Sequence, residues 1–465
     1  MVFSSIPFLF FFFPLFLILY YIVPFKIKNY ILLIFSLVFY AWGEPVYIFL
    51  MIFSSFINYL AGLLIDKFDN KKKRKLILVI SIIINILILG FFKYADFFIE
   101  IVNGIIGINI DKLELGLPIG ISFFTFQAMS YVVDVYRKEV VHEKNFFIFM
   151  TYISMFPQLI AGPIVRYETV SKELYDREIN LNNFSLGLKR FMLGLFKKVL
   201  IANNVGYLFS VISGMDNLSV LLAWLGIIAF TIQIYFDFSG YSDMAIGMGK
   251  MLGFNYLENF NYPYIAKSIT DFWRRWHISL STFFRDYVYI PLGGSRVGKY
   301  KHIRNIMIVW MLTGLWHGAS FNFILWGLYY GILLILEKKV FNKWLDKLPN
   351  VFRHIYALFF IMIGWLIFAF DDMSKLLEYG KTMFFMNGDF INQDFIYYFR
   401  NYFIILIIAS IFSTPIYKRI SDYINKSKDS LFRSIIIMVI YILLFIITIA
   451  YLVSDTYNPF LYFRF

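Results

Sequence analysis

The chain has 465 residues, of which 60% are hydrophobic and 22% aromatic, with no cysteine and a formal net charge of +13. Several apolar runs reach the about 20 residues that a helix needs to cross a bilayer, which indicates a helical integral membrane protein. Its basic residues form short clusters between these runs, as in cytoplasmic loops, which argues against a nucleic-acid partner. Without cysteine there is no disulfide, cysteine nucleophile or thiolate metal site. The five histidines lack metal-binding spacing, so no metal is predicted.

Hydropathy predicts an all-α integral membrane protein, a polytopic bundle of about ten full spans in one domain over 1–465. The predicted spans are 6–23, a second that ends near Trp42, 46–65, 77–97, 119–136, 190–213, 219–238, 354–370, 401–417 and 435–453. Lys26 and Lys28 follow the first run, so the positive-inside rule places the amino terminus outside. We expect a multi-pass protein of the cytoplasmic membrane, in contact with the lipid bilayer.

Three segments do not fit simple crossings. Residues 146–163 lie among basic stretches that look cytoplasmic, so a re-entrant segment broken at Pro157 and at Gly162-Pro163 is predicted. Residues 240–304 are basic, aromatic and only intermittently apolar, which favours interfacial helices on the cytoplasmic side. Residues 305–336 are followed by another basic cluster, so they are predicted to enter and leave on that same side.

The segment 305–336 is an apolar run that polar residues and glycines interrupt once, near its middle. As one helix it would span about 48 Å, against a hydrocarbon core about 30 Å thick, so two helical halves meeting near Gly318 fit better. An ionisable side chain inside a membrane segment usually faces a bundle interior or a cavity, so His317 is a candidate catalytic residue. The alternative is a packed histidine that is hydrogen-bonded to a neighbouring helix.

Polar residues also gather at 232–247, which reads IQIYFDFSGYSDMAIG. Asp237, Ser239, Tyr241 and Asp243 fall at or near the end of a predicted span, where two carboxylates are costly unless hydrated or paired. They could form the polar wall of a cavity or orient a histidine. The alternative is a solvated helix end with a turn at Ser239-Gly240.

The segment 271–291 reads DFWRRWHISLSTFFRDYVYIP and places aromatic residues beside a histidine. Trp273, Trp276 and His277 fall on neighbouring helical positions, and Arg274 and Arg275 point elsewhere. The arginines could bind the phosphates of a donor or, with equal weight, snorkel to lipid headgroups. For His277 a functional role is favoured. The full set of lower-ranked donor-binding or orienting candidates is Asp237, Ser239, Tyr241, Asp243, Trp273, Arg274, Arg275, Trp276, Arg285, Trp316 and Asn322.

With these residues in view, the chain resembles the membrane-bound O-acyltransferase family, in its bacterial branch of alginate and peptidoglycan O-acetyltransferases. The resemblance covers essentially the whole length and is carried by MVFSSIPFLFFF at 1–12, QLIAGPIVRY at 158–167, YFDFSGYSDMAIG at 235–247, DFWRRWHISLSTFFRDYVYIPLGG at 271–294 and LTGLWHGASFNFILWG at 312–327. It implies that His317 matches the family's buried catalytic histidine and that His277 matches the second motif histidine.

The resemblance further implies transfer of an acyl group from a cytoplasmic thioester donor, either acetyl-CoA or another acetyl thioester, with no tightly bound cofactor. Such proteins deliver the group outward, commonly through an extracytoplasmic acetyltransferase or esterase-like partner that modifies a polysaccharide. The hypothesis is that neutral His317 takes the proton of an acceptor hydroxyl, and that His277 or a nearby dipole stabilises the oxyanion. The alternatives are D-alanyl transfer to teichoic acid and, in another class, a transporter or flippase.

Overall fold

The computed structural model describes residues 1–160, 162–386, 388–426, 431–454 and 461. These residues form helices and connecting segments, and no β-strand occurs among them. The predicted all-α fold class is confirmed. The chain divides into two compact units, Met1–Phe191 with Tyr241–Leu257 and Met192–Gly240 with Glu258–Phe465. The single domain over 1–465 stays a prediction.

The first unit contains the amino-terminal helices. Its elements are a π-helical turn Phe8–Phe12, α1 (Phe13–Ile22), α2 (Phe25–Gly43), α3 (Ile48–Lys67), α4 (Lys71–Ile106), α5 (Ile121–Arg137), α6 (Phe146–Ser154), α7 (Phe156–Leu159), α8 (Tyr167–Tyr175) and most of α9 (Leu181–Phe196). A reciprocal amide pair joins α3 to α4, because Asn58 and Asn85 each donate a hydrogen bond to the other, at 3.0 and 2.8 Å. Polar side chains thus hold helices together within an otherwise apolar layer.

The second unit contains the remaining helices. They are a π-helical segment Lys197–Asn203, α10 (Asn204–Ser213), the first part of α11 (Val220–Leu252), a 3₁₀ turn Pro263–Ile265, α12 (Ile269–Arg275), α13 (Ile278–Phe284), a π-helical turn Arg285–Tyr289, α14 (Lys299–His317), α15 (Phe321–Leu336), a π-helical turn Glu337–Phe341, α16 (Asn342–Leu345), α17 (Asn350–Ala369), α18 (Met373–Met383), α19 (Gln393–Phe412), α20 (Ile416–Lys426) and α21 (Leu431–Ser454). The boundary between the units falls within α9 and α11.

Every predicted span corresponds to a helix, although not every helix has full crossing length. Within the described ranges, eight helices are long and apolar enough to cross a membrane, namely Phe25–Gly43, Ile48–Lys67, Lys71–Ile106, Leu181–Ser213, Val220–Met251, Asn350–Ala369, Gln393–Phe412 and Ser434–Ser454. The helical stretch Phe8–Ile22 and α5 are shorter. The chain is therefore a multi-pass helical membrane protein.

Several predicted boundaries differ from those of the helices. The basic cluster at 71–75 is not a loop but the first turns of α4, which Asn70 caps by accepting from the N–H groups of Lys72 and Lys73. The span predicted to end at 238 continues as α11 to Leu252, so residues 240–252 are not an interfacial helix. The ninth span begins earlier than predicted, at Gln393. Hydropathy detects only apolar runs, whereas a helix can continue through polar residues whose side chains form hydrogen bonds or ion pairs.

The predicted re-entrant segment 146–163 is broken, but at a different residue. The helices α6 and α7 meet at Met155, not at Pro157. Pro157 lies in the first turn of α7, where a missing N–H group leaves no intrahelical bond unmade. The other predicted break, Gly162-Pro163, does lie in a non-helical stretch.

The interruption predicted in 305–336 is confirmed. The helix α14 ends at His317, α15 begins at Phe321, and the residues between them are not helical. Glycines let the two helices approach each other closely. A Cβ atom on Gly327 would lie 2.5 Å from the Trp310 carbonyl oxygen, and one on Gly314 would overlap the Phe323 carbonyl oxygen. Such backbone contact requires residues without a side chain.

This contact gives a stability prediction for Gly314→Ala. The added methyl group must push the two helices apart, so we expect the variant to lose about 1–3 kcal/mol of unfolding free energy. Gly90→Ala is the control, because a Cβ atom there would meet nothing within 4 Å. Denaturant titration of both purified variants in detergent measures the difference. Equal unfolding free energies would show that the helices do not need their close approach.

Candidate active site

A cavity of about 250 Å³ in the second unit brings the two motif histidines together. His277 and His317 both line it, which the sequence could only suggest. Other lining residues include Trp273, Arg274, Ser281, Arg285, Trp310 and Thr313. Thr270 and Tyr289 also line it, so the cavity combines two imidazoles, two guanidinium groups, four hydroxyls and apolar ring surface, which is the composition expected of a small-molecule site.

His317 is placed by the break between α14 and α15. It is the last residue of α14 and is 5% exposed. Its ring meets the edges of Trp316, Trp326 and Phe368, with centroid distances of 5.0, 5.0 and 5.3 Å. The next residue must be small, because a Cβ atom on Gly318 would overlap the Phe323 ring. The break and the aromatic shell together fix the imidazole.

His277 directly precedes α13, in the short loop between α12 and α13. It is 1% exposed and has a left-handed backbone, with φ of 45°. Phe238 packs edge-on against its ring at a centroid distance of 4.7 Å, and Trp316 lies at 5.7 Å. Trp316 therefore packs against both imidazoles without lining the cavity, and its role in the site stays a prediction.

Asn259 is a residue of this site that the sequence analysis missed. Its side chain is fully buried, and its Oδ1 lies 3.2 Å from His277 Nδ1. The same oxygen accepts hydrogen bonds from the N–H and the hydroxyl of Ser279, at 3.1 and 2.8 Å. No periodicity marks an asparagine in a loop, and its separation from His277 by 18 positions matches no motif with a known mechanism.

The helix α12 is held in place by a carboxylate from the end of α15. Glu337 is buried and accepts from the backbone N–H groups of Ile269 and Thr270, at 2.7 and 2.8 Å. A negative charge at a helix amino terminus is favourable, because the unpaired N–H groups there carry partial positive charge. Glu337 thereby fixes the helix that precedes His277, and it too was missed from the sequence.

The tryptophans of the motif have different surroundings. Trp273 lines the cavity and packs against Trp310, Tyr330 and Trp326, with centroid distances of 4.6, 4.9 and 5.5 Å. Trp276 is buried in the same hydrophobic core as Trp273, but it does not line the cavity. The interpretation of Trp273 as a site residue is compatible with its position, whereas Trp276 supports the fold.

The three arginines of the motif also differ in their contacts. Arg274 is exposed and lines the cavity. Arg275 instead binds Asp271 at 2.8 Å and the Asn261 carbonyl oxygen at 3.2 Å, within its own helix and loop. Arg285 lines the cavity and pairs with the adjacent Asp286 at 2.7 Å. Arg274 and Arg285 are therefore the arginines placed to meet an anionic substrate.

Two of the polar candidates in α11 do not line the cavity. Asp237 lies in the interior of the helix, not at its end, and forms a buried ion pair with Lys198 at 2.6 Å. It also accepts a hydrogen bond from the backbone N–H of Leu461 at 2.9 Å. Ser239 is buried in the same helix. The prediction of a solvated helix end is wrong for both, because α11 continues beyond them to Leu252. A role in the wall of another cavity or in orienting a histidine stays a prediction.

The other two polar candidates of α11 belong to the first unit. Tyr241 is buried against the Phe3 ring, at a centroid distance of 5.7 Å, with its hydroxyl 3.4 Å from that of Ser4. Asp243 pairs with Arg190 at 2.6 Å. These contacts connect α11 to neighbouring segments of that unit and assign neither residue to the histidine cavity.

Asn322 has contacts that explain its burial without a catalytic role. Its Nδ2 lies 3.4 Å from the carbonyl oxygen of Phe368, 3.5 Å from that of Ile367 and 3.3 Å from Asp371 Oδ1. These groups surround the carboxyl end of α17, whose last carbonyls have no intrahelical donors. Asn322 therefore connects the start of α15 to the end of α17.

A comparison with protein families matches the model described as MBOAT, membrane-bound O-acyltransferase family, to residues 121–371. That match covers more than half of the chain and includes both histidines and the whole cavity lining. The chain belongs to the membrane-bound O-acyltransferase family. It is an acyltransferase, and the resemblance inferred from the motifs is confirmed.

Relatives in this family extend the match beyond the core segment. The chain is 41% identical to the probable alginate O-acetylase AlgI of Azotobacter vinelandii over 389 residues, 83% of this chain and 78% of the relative. It is 36% identical to the peptidoglycan O-acetyltransferase of Helicobacter pylori over 426 residues, 83% of this chain and 80% of the relative. A teichoic acid D-alanyltransferase of Bacillus subtilis is 29% identical over 271 residues, 54% of this chain and 68% of the relative.

The ion pair in α11 gives a second prediction. Asp237→Asn leaves the Lys198 charge buried without its counter-ion, so we expect a loss of about 3–5 kcal/mol of unfolding free energy. Asp346→Asn makes the same chemical change in a pair with Arg353 whose aspartate side chain is 60% exposed, and should cost at most about 1 kcal/mol. Denaturant titration in detergent compares the unfolding free energies of the two variants. Equal losses would show that the ion pair between Asp237 and Lys198 does not stabilise the fold.

Proposed function

We propose that this acyltransferase moves an acetyl group from a cytoplasmic thioester donor, acetyl-CoA or another acetyl thioester, to O-acetylate an exported or cell-surface polysaccharide. The observation that carries the proposal is the cavity in which His277 and His317 meet beside Arg274 and Arg285. The printed activities of the alginate and peptidoglycan relatives support the acetyl group and the class of acceptor. The acceptor is an alginate-like polymer, peptidoglycan or a secondary cell-wall polymer.

In the proposed reaction, His317 acts as the general base. Its neutral imidazole takes the proton of the acceptor hydroxyl while that oxygen attacks the thioester carbonyl carbon. The C–O bond forms, the C–S bond breaks, and the thiolate leaves with the proton that His317 returns. The products are an acetyl ester and a free thiol, so atoms and charge balance.

The carbonyl oxygen becomes negatively charged during this attack and needs a dipole or donor nearby. The helix α15 begins at Phe321, four positions after His317, and its N–H groups form the positive end of the helix dipole. This end of α15 is the helix dipole that follows His317 in the chain, although no residue of its first turn lines the cavity. Such groups are fixed before the reaction and need no reorganisation when charge develops.

We place the protein in the cytoplasmic membrane, where a thioester donor made inside can meet an acceptor outside. The exposed Arg274 and Arg285 supply positive charge where a phosphate-bearing donor would enter. An extracytoplasmic acetyltransferase or esterase-like partner completes the modification of the polymer.

D-Alanyl transfer is the second candidate. The observation that favours it is the match to the teichoic acid D-alanyltransferase, which is less extensive and less identical than the matches to the O-acetylating relatives. The transporter alternative gains no support, since the chain belongs to an acyltransferase family.

The test is release of O-acetate by mild alkali from the surface polymers of a deletion strain. Complementation with the wild-type gene should restore O-acetate, and His317→Ala should not, because the acceptor hydroxyl then has no base. Membrane abundance of both proteins is measured in parallel to exclude loss of expression. Full acetylation by the variant would refute the role of His317, and loss of ester-linked D-alanine in place of acetate would favour D-alanyl transfer.

The arginines give a fourth prediction. Arg274→Gln should raise the KM for acetyl-CoA by about 10- to 100-fold, because hydrogen bonds to charged groups contribute about 1.5–3 kcal/mol. Arg275→Gln is the adjacent control and should change this KM less than about 3-fold, since its partner is Asp271. A thiol reagent measures product directly, because the chain has no cysteine. Similar KM values for both variants would contradict a phosphate-binding role for Arg274.

A further inference from the structure

The orientation of the Asn259 amide follows from the groups around it. The backbone N–H of Ser279 points to one atom of that amide at a distance of 3.1 Å. A backbone N–H can only donate, so the atom it meets is the carbonyl oxygen and not the amide nitrogen. The Ser279 hydroxyl donates to the same oxygen at 2.8 Å.

This assignment determines where the proton lies on His277. Its Nδ1 is 3.2 Å from the same amide oxygen, which has no hydrogen to give. The Ser279 hydroxyl lies 3.5 Å from Nδ1 but only 2.8 Å from the amide oxygen, so it donates to that oxygen and Nδ1 carries the hydrogen of its own contact. In a neutral imidazole only one nitrogen carries a hydrogen, so Nε2 is then the acceptor.

We propose that Asn259 is a positioning residue that holds His277 in the Nδ1-protonated tautomer, so that Nε2 accepts a hydrogen bond from a substrate O–H, S–H or N–H group in the cavity. The inference rests on the proposed function only for the identity of that substrate. It revises the hypothesis that His277 stabilises the oxyanion, because an unprotonated Nε2 cannot donate to a negatively charged oxygen.

The surroundings of His277 support the neutral form. Burial lowers the pKa of His277 to about 3, and the residue lies outside the eight candidate spans. An imidazole with that pKa holds no second proton at neutral pH, which leaves a single hydrogen for the contact with Asn259. Arg274 also lines the cavity, and its positive charge disfavours an imidazolium there.

The backbone of Asn259 contributes to the same arrangement. Its carbonyl oxygen accepts from the N–H of Ile278 at 3.0 Å, so side chain and backbone together bind residues 277–279. Two positions later, the N–H of Asn261 donates to the carbonyl of Arg275 at 2.9 Å. His277 has a left-handed backbone, which is unfavourable for a residue with a Cβ atom, and these bonds offset that cost.

The experiment is solid-state NMR of the full chain in lipid bilayers with ¹⁵N-labelled histidine. The chain has only five histidines, and His277→Gln identifies the signals of His277 by their loss. His354 is an internal reference, because its Nδ1 faces the Ala266 carbonyl oxygen at 3.1 Å and must also carry a hydrogen. We expect His277 to share the protonated Nδ1 of His354 and to have an unprotonated Nε2.

Variants of Asn259 separate positioning from general stability. In Asn259→Ala, His277 should become a mixture of its two neutral tautomers and kcat should fall by about 10-fold or more, while the His354 signals stay unchanged. Asn259→Asp keeps the acceptor oxygen but adds a charge, so it should produce a His277 with both nitrogens protonated.

The wild-type spectrum decides the inference even if no variant folds. A hydrogen on Nε2 and none on Nδ1 of His277 would overturn it, as would an Asn259→Ala variant with unchanged tautomer and unchanged kcat. If the proposed function is wrong, the result is different: the wild-type protein transfers no acetyl group, but the NMR signals of the His277 ring are still those predicted.

Discussion

The close contact between α14 and α15 is the constraint on which the rest of the site depends. Because Gly314 and Gly327 have no side chains, the two helices pack backbone to backbone and the chain can turn back after His317. The turn leaves the imidazole at a helix end, among aromatic rings and beside a cavity. In a continuous helix of that length, the same residue would lie within the hydrogen-bonded ladder and its neighbours would face lipid.

The loop that contains His277 is stabilised by individual hydrogen bonds, unlike the helices, which are stabilised by packing. The segment from Asn259 to Ser279 contains two short helices and gains its order from individual hydrogen bonds, chiefly those of Asn259 and Glu337. Each of these side chains satisfies backbone N–H groups that burial would otherwise leave without partners. The same bonds orient His277, so stability and function are not separable at this point of the fold.

Much of the fold could be predicted from the sequence, because hydropathy and helix length are simple physical quantities. The broken segment 305–336 followed from its length, and His317 followed from the cost of an ionisable group in a membrane. That second argument did not distinguish His317 from Asp237. Both are expensive to bury, but Lys198 neutralises Asp237 through a contact 39 positions away in sequence, which no local pattern encodes.

Other parts of the site were predictable in principle. Asp271 and Arg275 have the spacing of a helical ion pair, so the sequence could have separated Arg275 from Arg274. Asn259 could not be found in this way, because its role depends on the path of a loop. The two histidines consequently differ in the contacts that place them: the Asn259 amide oxygen lies 3.2 Å from His277 Nδ1, whereas aromatic rings pack around the imidazole of His317. In the proposed reaction only His317 changes its protonation state, which agrees with the single tautomer that Asn259 is proposed to hold on His277.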